Sequence, residues 1–255
     1  MFDSRGFLEL PERERKPRAA GLTHLLDKGA PLEVLTGVLD GAGELVDVLK
    51  LGWGVAYLDR TLKARIAVCH AADVLVSLGG TLLEIAVAQG KLDELRGWAA
   101  DQGVDAIEVS NGLAGFTREE KAALVADLAG EFVVLAETGA KDDRVPVVPE
   151  RWVEEMAADL AAGARWALAE GRESGTVGLY HPDGSVREEL VALLVARLPL
   201  ERVIFEAPRK AQQAWFIRQL GPGVNLGNVP LEEVLPLETL RLGLRADTAR
   251  FPPRP

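Results

Sequence analysis

From Gly21 onward the chain alternates short apolar runs of β character with amphipathic helical runs, and it does so eight times. No other feature restricts the fold as much. The β-like runs end near Asp27 (GLTHLLD), Lys50 (LVDVLK), Leu78 (DVLVSLGG), Glu108 (DAIEVSNG), Glu137 (EFVVLAETG), Glu170 (RWALAEGRESG), Glu206 (RVIFE) and Leu226 (VNL). The intervals between these ends are about 20 to 36 residues, the length of one strand, one helix and two loops in a βα repeat. Helical patterns fill the gaps at 61–72, 81–102, 117–128, 149–162, 186–197 and 209–220. Thr117 with Glu120 three residues on forms a capping-box pattern, and Pro149 opens a Glu-rich first turn. Eight such repeats predict an α/β fold, a closed (β/α)8 TIM barrel in a single domain spanning residues 1–255. Residues 1–15 and 250–255 are read as peripheral tails, and an open doubly wound sheet is the structural alternative.

At 255 residues, 48% hydrophobic and 27% charged, the chain can bury one large core. Its net charge of -10 opposes nonspecific binding to nucleic acid or to an anionic membrane, yet leaves room for a small anion in a locally positive pocket. Cys69 is the only cysteine and lies in an apolar helical pattern, which excludes a disulfide framework and a thiolate metal site. The first residues, MFDSRGFLELPERERKPR, have neither the apolar core of a secretory signal nor that of an anchor, and no apolar run approaches a membrane span. A cytoplasmic protein is expected.

Glu108, Glu137, Glu170 and Glu206 stand at or near the ends of four successive predicted strands. Carboxylates converging at a barrel mouth can hold Mg²⁺, a hard cation that prefers oxygen, or work as acid and base. His24, His70 and His181 are too scattered for a zinc site. Cations occupy comparable places: Lys16 and Arg18 before the first strand, Lys50 at the end of the second, Lys141 after the fifth, Arg172 after the sixth, and Arg209 with Lys210 after the seventh. Such groups suit a multiply anionic ligand. Lys141 follows Gly139 in a polar loop, where a partly desolvated ammonium can serve as proton donor. Glycine-rich turns at Gly79-Gly80-Thr81, Ser174-Gly175 and Gly227-Asn228 allow backbone N–H groups to approach a phosphate. Polar loops at 138–148 and 172–185, the latter with a short VGLY run and an HPDG turn, lie where a barrel builds its active site.

In order along the chain, KPRAAGLTHLLDKG, DVLKLGWG, GGTLLEIA, IEVSNG, ETGAK, EGRESG, FEAPRKAQQAWFI, VNLGNV and LETLRLGLRADT resemble the motif series of phosphosulfolactate synthases, from about Lys16 to Thr248. The resemblance implies a (β/α)8 barrel that uses Mg²⁺ to add sulfite to phosphoenolpyruvate, an early step of coenzyme M synthesis in methanogens and of sulfolactate synthesis in some bacteria. It implies Glu108, Glu137 and Glu206 as Mg²⁺ ligands. Lys141 is then the proton donor, acting with Glu137 and Arg172 at the reacting atoms. Lys16, Arg18, Lys50 and Arg172 become the anion binders, and Ser174, Gly175, Gly227 and Asn228 the phosphate cradle. Expected partners are the small anionic substrates phosphoenolpyruvate and sulfite, with no nucleic acid and no membrane, in a homo-oligomer.

Two positions depart from the family pattern. Asn111 stands in Ser110-Asn111-Gly112 where an acidic residue is expected, and Thr138 stands where an apolar one is expected. The first removes a charge near the mouth and admits a second reading, an enzyme of the same scaffold that adds another nucleophile to an enol phosphate. A third reading, a catalytically idle stress-associated barrel, fits the family's resemblance to plant heat-stress proteins. Lys141, Glu137, Arg172 and Asn228 together argue against it, because an idle barrel needs none of them at its mouth.

Overall fold

The computed structural model describes residues 7–113, 115–139 and 146–249. Its elements run β1 (Thr23–Asp27), α1 (Leu32–Ala42), β2 (Val48–Leu51), α2 (Val55–Leu58), α3 (Leu62–Ala71), β3 (Leu75–Leu78), α4 (Gly80–Ala88), α5 (Leu92–Gln102) and β4 (Ala106–Val109). They continue with α6 (Arg118–Leu128), β5 (Val133–Thr138), α7 (Pro149–Ala162), β6 (Trp166–Ala169), α8 (Glu188–Arg197), β7 (Val203–Glu206), α9 (Lys210–Leu220), β8 (Leu226–Pro230) and α10 (Val234–Arg241). The strands are parallel and pair in sequence order, and β8 returns to β1, so the sheet is the closed eight-stranded barrel that the alternation predicts and not the open sheet.

Strand alternation sorts the side chains into two cores. The larger lies between strands and helices, where Phe205 of β7 stacks on Phe216 of α9 with ring centroids 4.8 Å apart. The smaller, formed by Leu22, Val48, Ala106, Leu135, Trp166, Leu168 and Ile204, fills the barrel. Successive residues of a strand face opposite sides, so a residue two positions further on points the same way. Two residues beyond Leu22, Val48, Ala106, Leu135, Leu168 and Ile204 stand His24, Lys50, Glu108, Glu137, Glu170 and Glu206. An ionic layer therefore sits directly on the apolar one, toward the C-terminal ends of the strands. Each large aliphatic buried below it contributes about 1.5–3 kcal/mol, which offsets the cost of holding charges in the barrel.

Local differences from the expected elements have local causes. The single helix expected at 81–102 is two, because the chain turns at Gly90 with φ 65°, where the Lys91 N–H donates to the Ala86 carbonyl. Helices α1 and α10 escape a periodicity reading: Gly37 and Gly41 dilute the first, and Pro236 interrupts the second at a first-turn position where its missing N–H costs nothing. Strand β8 runs on to Pro230 and does not end at Leu226. The VGLY run makes only one bridge, Tyr180 to Val186, across the HPDG turn closed by Gly184 N–H donating to the His181 carbonyl. At the other end of the chain Arg13 pairs with the buried Glu238 of α10 at 2.9 Å, so this part of the presumed tail is anchored. Among the described residues no helix is long and apolar enough to cross a membrane.

Candidate active site

The ionic layer is centred on Lys50. Its Nζ lies 2.8 Å from Glu108 Oε2, 3.3 Å from Glu206 Oε1 and 3.7 Å from Glu137 Oε2. His24 Nδ1 accepts from the Asn228 N–H at 3.4 Å, which leaves Nε2 to carry the ring proton toward Glu108 Oε1, 3.3 Å away. Glu206 Oε2 accepts from the Gly171 and Arg172 N–H groups at 2.8 and 2.9 Å, and Arg172 N–H also donates to Glu170 Oε1 at 2.6 Å. Arg172 takes a left-handed φ of 55° to aim that one N–H at both carboxylates, a strained backbone of the kind that accumulates at functional sites. Glu108 Oε2 further accepts from Gly80 N–H at 3.3 Å.

Burial opposes the charge on Lys50, yet Glu108, Glu206 and Glu137 outweigh it and hold the ammonium well above the ordinary lysine range. Burial, and then the charges of Glu137 and Glu206, push Glu170 well above the ordinary carboxylate range. Glu206 is also raised, by burial foremost and then by Glu137, against the pull of Lys50. Among the described residues four buried carboxylates share one ammonium, so the layer is short of positive charge.

Glu137, Glu170 and Glu206 each present a carboxylate oxygen, and these oxygens lie within 4.8 Å of one another. Among the described residues Glu170 Oε2 is buried without a hydrogen-bond partner. Clustered hard oxygens, an unused one among them and a local excess of negative charge fit a divalent cation such as Mg²⁺.

Above the layer opens a cleft of about 390 Å³, within the range of small-molecule sites. Lys50, Glu108, Glu137 and Glu170 form its floor. Gly79, Gly80 and Thr81, at the start of α4, make one wall, Arg172 and Glu173 another, and Asn228 a third. Asn228 is 3% exposed, holds φ 51°, and its Oδ1 has no hydrogen-bond partner among the described residues. Trp53, also left-handed at φ 51°, and Leu113 add apolar rim.

Of the residues singled out in the sequence, the structure brings Lys50, Glu108, Glu137, Arg172, Glu206 and Asn228 together. Glu108 lies on the Lys50 and His24 side of the layer, and the oxygen grouped with those of Glu137 and Glu206 is that of Glu170. Lys16 and Arg18 are at the opposite end of the barrel: Lys16 donates to the Ala72 and Asp73 carbonyls ahead of β3, and Arg18 pairs with Asp47 ahead of β2 at 3.0 Å. A segment that leads into the first strand of a parallel barrel enters at the N-terminal ends of the strands, away from the mouth. Ser174 and Gly175 are likewise no part of the cleft wall. The Ser174 hydroxyl pairs with Thr176 at 2.8 Å, and Gly175 packs on Gln212, whose Nε2 donates to its carbonyl at 2.8 Å. Gly227 faces the layer itself, where an added Cβ would come within 3.1 Å of His24 Nδ1, so its role is to admit the imidazole. Lys141 lies outside the described residues.

Sequence reasoning missed His24, discounted for its isolation although it follows Leu22 by two, and the rim residues Trp53 and Leu113. It also missed Glu84 of α4, which accepts from the Ser110 hydroxyl and the Leu113 N–H and so pins the loop after β4. Asn111 is no hole in the mouth: its Nδ2 donates to the Phe116 carbonyl and its Oδ1 accepts from the Phe116 N–H, closing the loop on itself.

A closed barrel with a buried carboxylate–lysine layer under a polar cleft at the C-terminal strand ends defines a (β/α)8 enzyme. The sequence model of the (2R)-phospho-3-sulfolactate synthase (ComA) family matches residues 11–247. Phosphosulfolactate synthase of Bacillus subtilis (strain 168) is 41% identical over 244 residues, 94% of this chain and 97% of the relative. That of Methanothermobacter thermautotrophicus is 42% identical over 245 residues, 93% of this chain and 95% of the relative. The chain belongs to the phosphosulfolactate synthase family, a family of lyases that form a carbon–sulfur bond. The crystal structure of 3-hexulose-6-phosphate synthase from Salmonella typhimurium, 15% identical with a TM-score of 0.55 over 89% of this chain and 93% of that one, shares the fold alone.

Proposed function

We propose that the protein adds sulfite to phosphoenolpyruvate to give phosphosulfolactate, with Mg²⁺ held by Glu137, Glu170 and Glu206. The observation that carries the reading is the cation-poor carboxylate trio beneath the cleft, in a chain of this family. In the reaction the sulfur lone pair of sulfite attacks the methylene carbon of phosphoenolpyruvate. The double-bond electrons move onto the substrate carboxylate as an enediolate, and a proton delivered to the phosphate-bearing carbon completes the addition. Bound at the trio, Mg²⁺ supplies Lewis-acid stabilisation of the charge that develops on that carboxylate.

The remaining roles belong to the protein. Lys50 offsets part of the negative charge at the floor of the cleft and bridges Glu108 and Glu206. The Arg172 N–H orients Glu170 and Glu206, while its side chain, at the cleft wall, attracts the anionic substrates. The Asn228 amide and the Gly79-Gly80-Thr81 start of α4 offer hydrogen bonds and a helix N-terminus to substrate oxygens. Lys141, four residues after Glu137 in the sequence and two after Gly139, is assigned as the proton donor on the sequence reading alone, as a lysine whose ammonium can give up a proton. The competing reading of another nucleophile rested on Asn111, which is engaged with Phe116 and does not line the cleft. A panel of nucleophiles offered with phosphoenolpyruvate and Mg²⁺, followed by phosphorus NMR, tests the choice. Consumption with sulfite alone supports the proposal, and consumption with a different nucleophile, or none, overturns it.

A further inference from the structure

Lys121 is a fully buried lysine that no catalytic step uses. It projects from α6 on the outer side of the barrel wall, with 0% of its surface exposed. Its Nζ donates to the Glu137 main-chain carbonyl, Glu155 Oε1 and Asp159 Oδ2, each at 2.7 Å, and lies 3.4 Å from Thr138 Oγ1. The three donors of one ammonium are therefore spent on two side chains of α7 and on the backbone of a residue whose side chain enters the ionic layer.

The end of β5 has reason to need such a tie. Val109, opposite Ala136, is the last β4 residue paired with β5, so Glu137 extends one residue beyond its neighbour on that side. The chain then passes through Gly139 at φ 141°, where an added Cβ would come within 2.4 Å of Glu170 and 2.9 Å of Trp152. Lys121 on one side and Trp152 on the other enclose this turn. The Thr138 departure from the family pattern also finds a place here, since its hydroxyl faces the same ammonium.

We propose that Lys121 is a positioning residue: through the Glu137 carbonyl it fixes the height and rotation of the β5 end, and so sets where the Glu137 carboxylate stands in the ionic layer. The catalytic consequence rests on the proposed role of that layer. Lys121→Met alone would leave the Asp159 charge buried and uncompensated, so the discriminating variant is Lys121→Met with Asp159→Leu, which removes the two fully buried charges, keeps apolar volume and leaves only Glu155, whose side chain reaches solvent. If Lys121 positions Glu137, the double variant melts within about 3 °C of the wild type. Its kcat for sulfite addition then falls about tenfold to a hundredfold, with KM for phosphoenolpyruvate changed by less than about twofold. Amides of residues 133–139 exchange about tenfold faster, while those of β1 and β2 do not. Unchanged kcat and unchanged exchange in a folded double variant would overturn the proposal, as would a double variant that fails to fold, which would assign the pair to global stability. A wild-type protein that adds no sulfite would instead count against the functional reading, and the exchange measurement would still decide the positioning role.

Discussion

Lys50 and Glu206 meet at 3.3 Å across the barrel interior although 156 residues separate them in sequence. Their meeting is possible because the barrel closes and because both side chains follow an inward apolar residue by two positions. Lys50→Met would remove the one ammonium that, among the described residues, sits with the four buried carboxylates. The expected loss is about 3–5 kcal/mol of stability by urea unfolding at pH 8, smaller at pH 5, where protonation can replace the missing charge. A loss below about 1 kcal/mol at pH 8 would mean that the layer does not depend on Lys50.

The metal-free protein should grow less stable as pH rises from about 5 to 8. Glu170 and Glu206 have folded pKa values raised above the ordinary carboxylate range, so the native state binds more protons than the unfolded chain in this window. Their protonated forms stabilise the fold fully below the unfolded pKa, and that contribution is lost as pH rises through the folded values. Lys50, raised well above 10.5, stays charged throughout and adds no slope. Melting temperatures in chelator should fall from pH 5 to 8, and Mg²⁺ should restore them at pH 8. A flat profile in chelator would contradict the charge deficit.

Much of this was legible in the chain. The eight-fold alternation predicted the closed barrel, and four strand-end glutamates were picked out as a group. Their facing was not, because a shift of one residue turns a strand side chain from the interior to the helix layer. The structure resolves it through Val48, Ala106, Leu135, Leu168 and Ile204, whose inward direction is set by packing across the barrel. Which glutamate joins which partner was beyond reach, since Glu108 is drawn to Lys50 and His24 by contacts between strands distant in sequence. Lys16 and Arg18 were misplaced for another reason: nearness to a strand in sequence does not say at which end of the barrel a residue lies.

Arg172→Gly separates the backbone role of residue 172 from its side-chain role. Glycine accepts φ 55° without strain and keeps the N–H that binds Glu170 and Glu206, so stability should hold or rise by up to about 1 kcal/mol. Loss of the guanidinium should raise KM for phosphoenolpyruvate by about tenfold or more, or some 1.4 kcal/mol. Steady-state kinetics with a thermal melt check both. A destabilised variant with unchanged KM would reverse the assignment.

Arg18→Met should leave KM for both substrates unchanged while lowering stability by about 1.5–3 kcal/mol, because Arg18 ties the N-terminal segment to Asp47 at the far end of the barrel. A large rise in KM without loss of stability would return Arg18 to the binding site.

The most direct test of the metal-assisted sulfite addition is phosphorus NMR of phosphoenolpyruvate with sulfite, run on chelator-stripped protein, on the same protein after Mg²⁺ is restored, and on Glu170→Gln. The account predicts no turnover when stripped, full turnover on restoration, and a Mg²⁺ requirement raised about tenfold or more in Glu170→Gln. Turnover of sulfite and phosphoenolpyruvate by stripped protein, or a Mg²⁺ requirement untouched by Glu170→Gln, would contradict it.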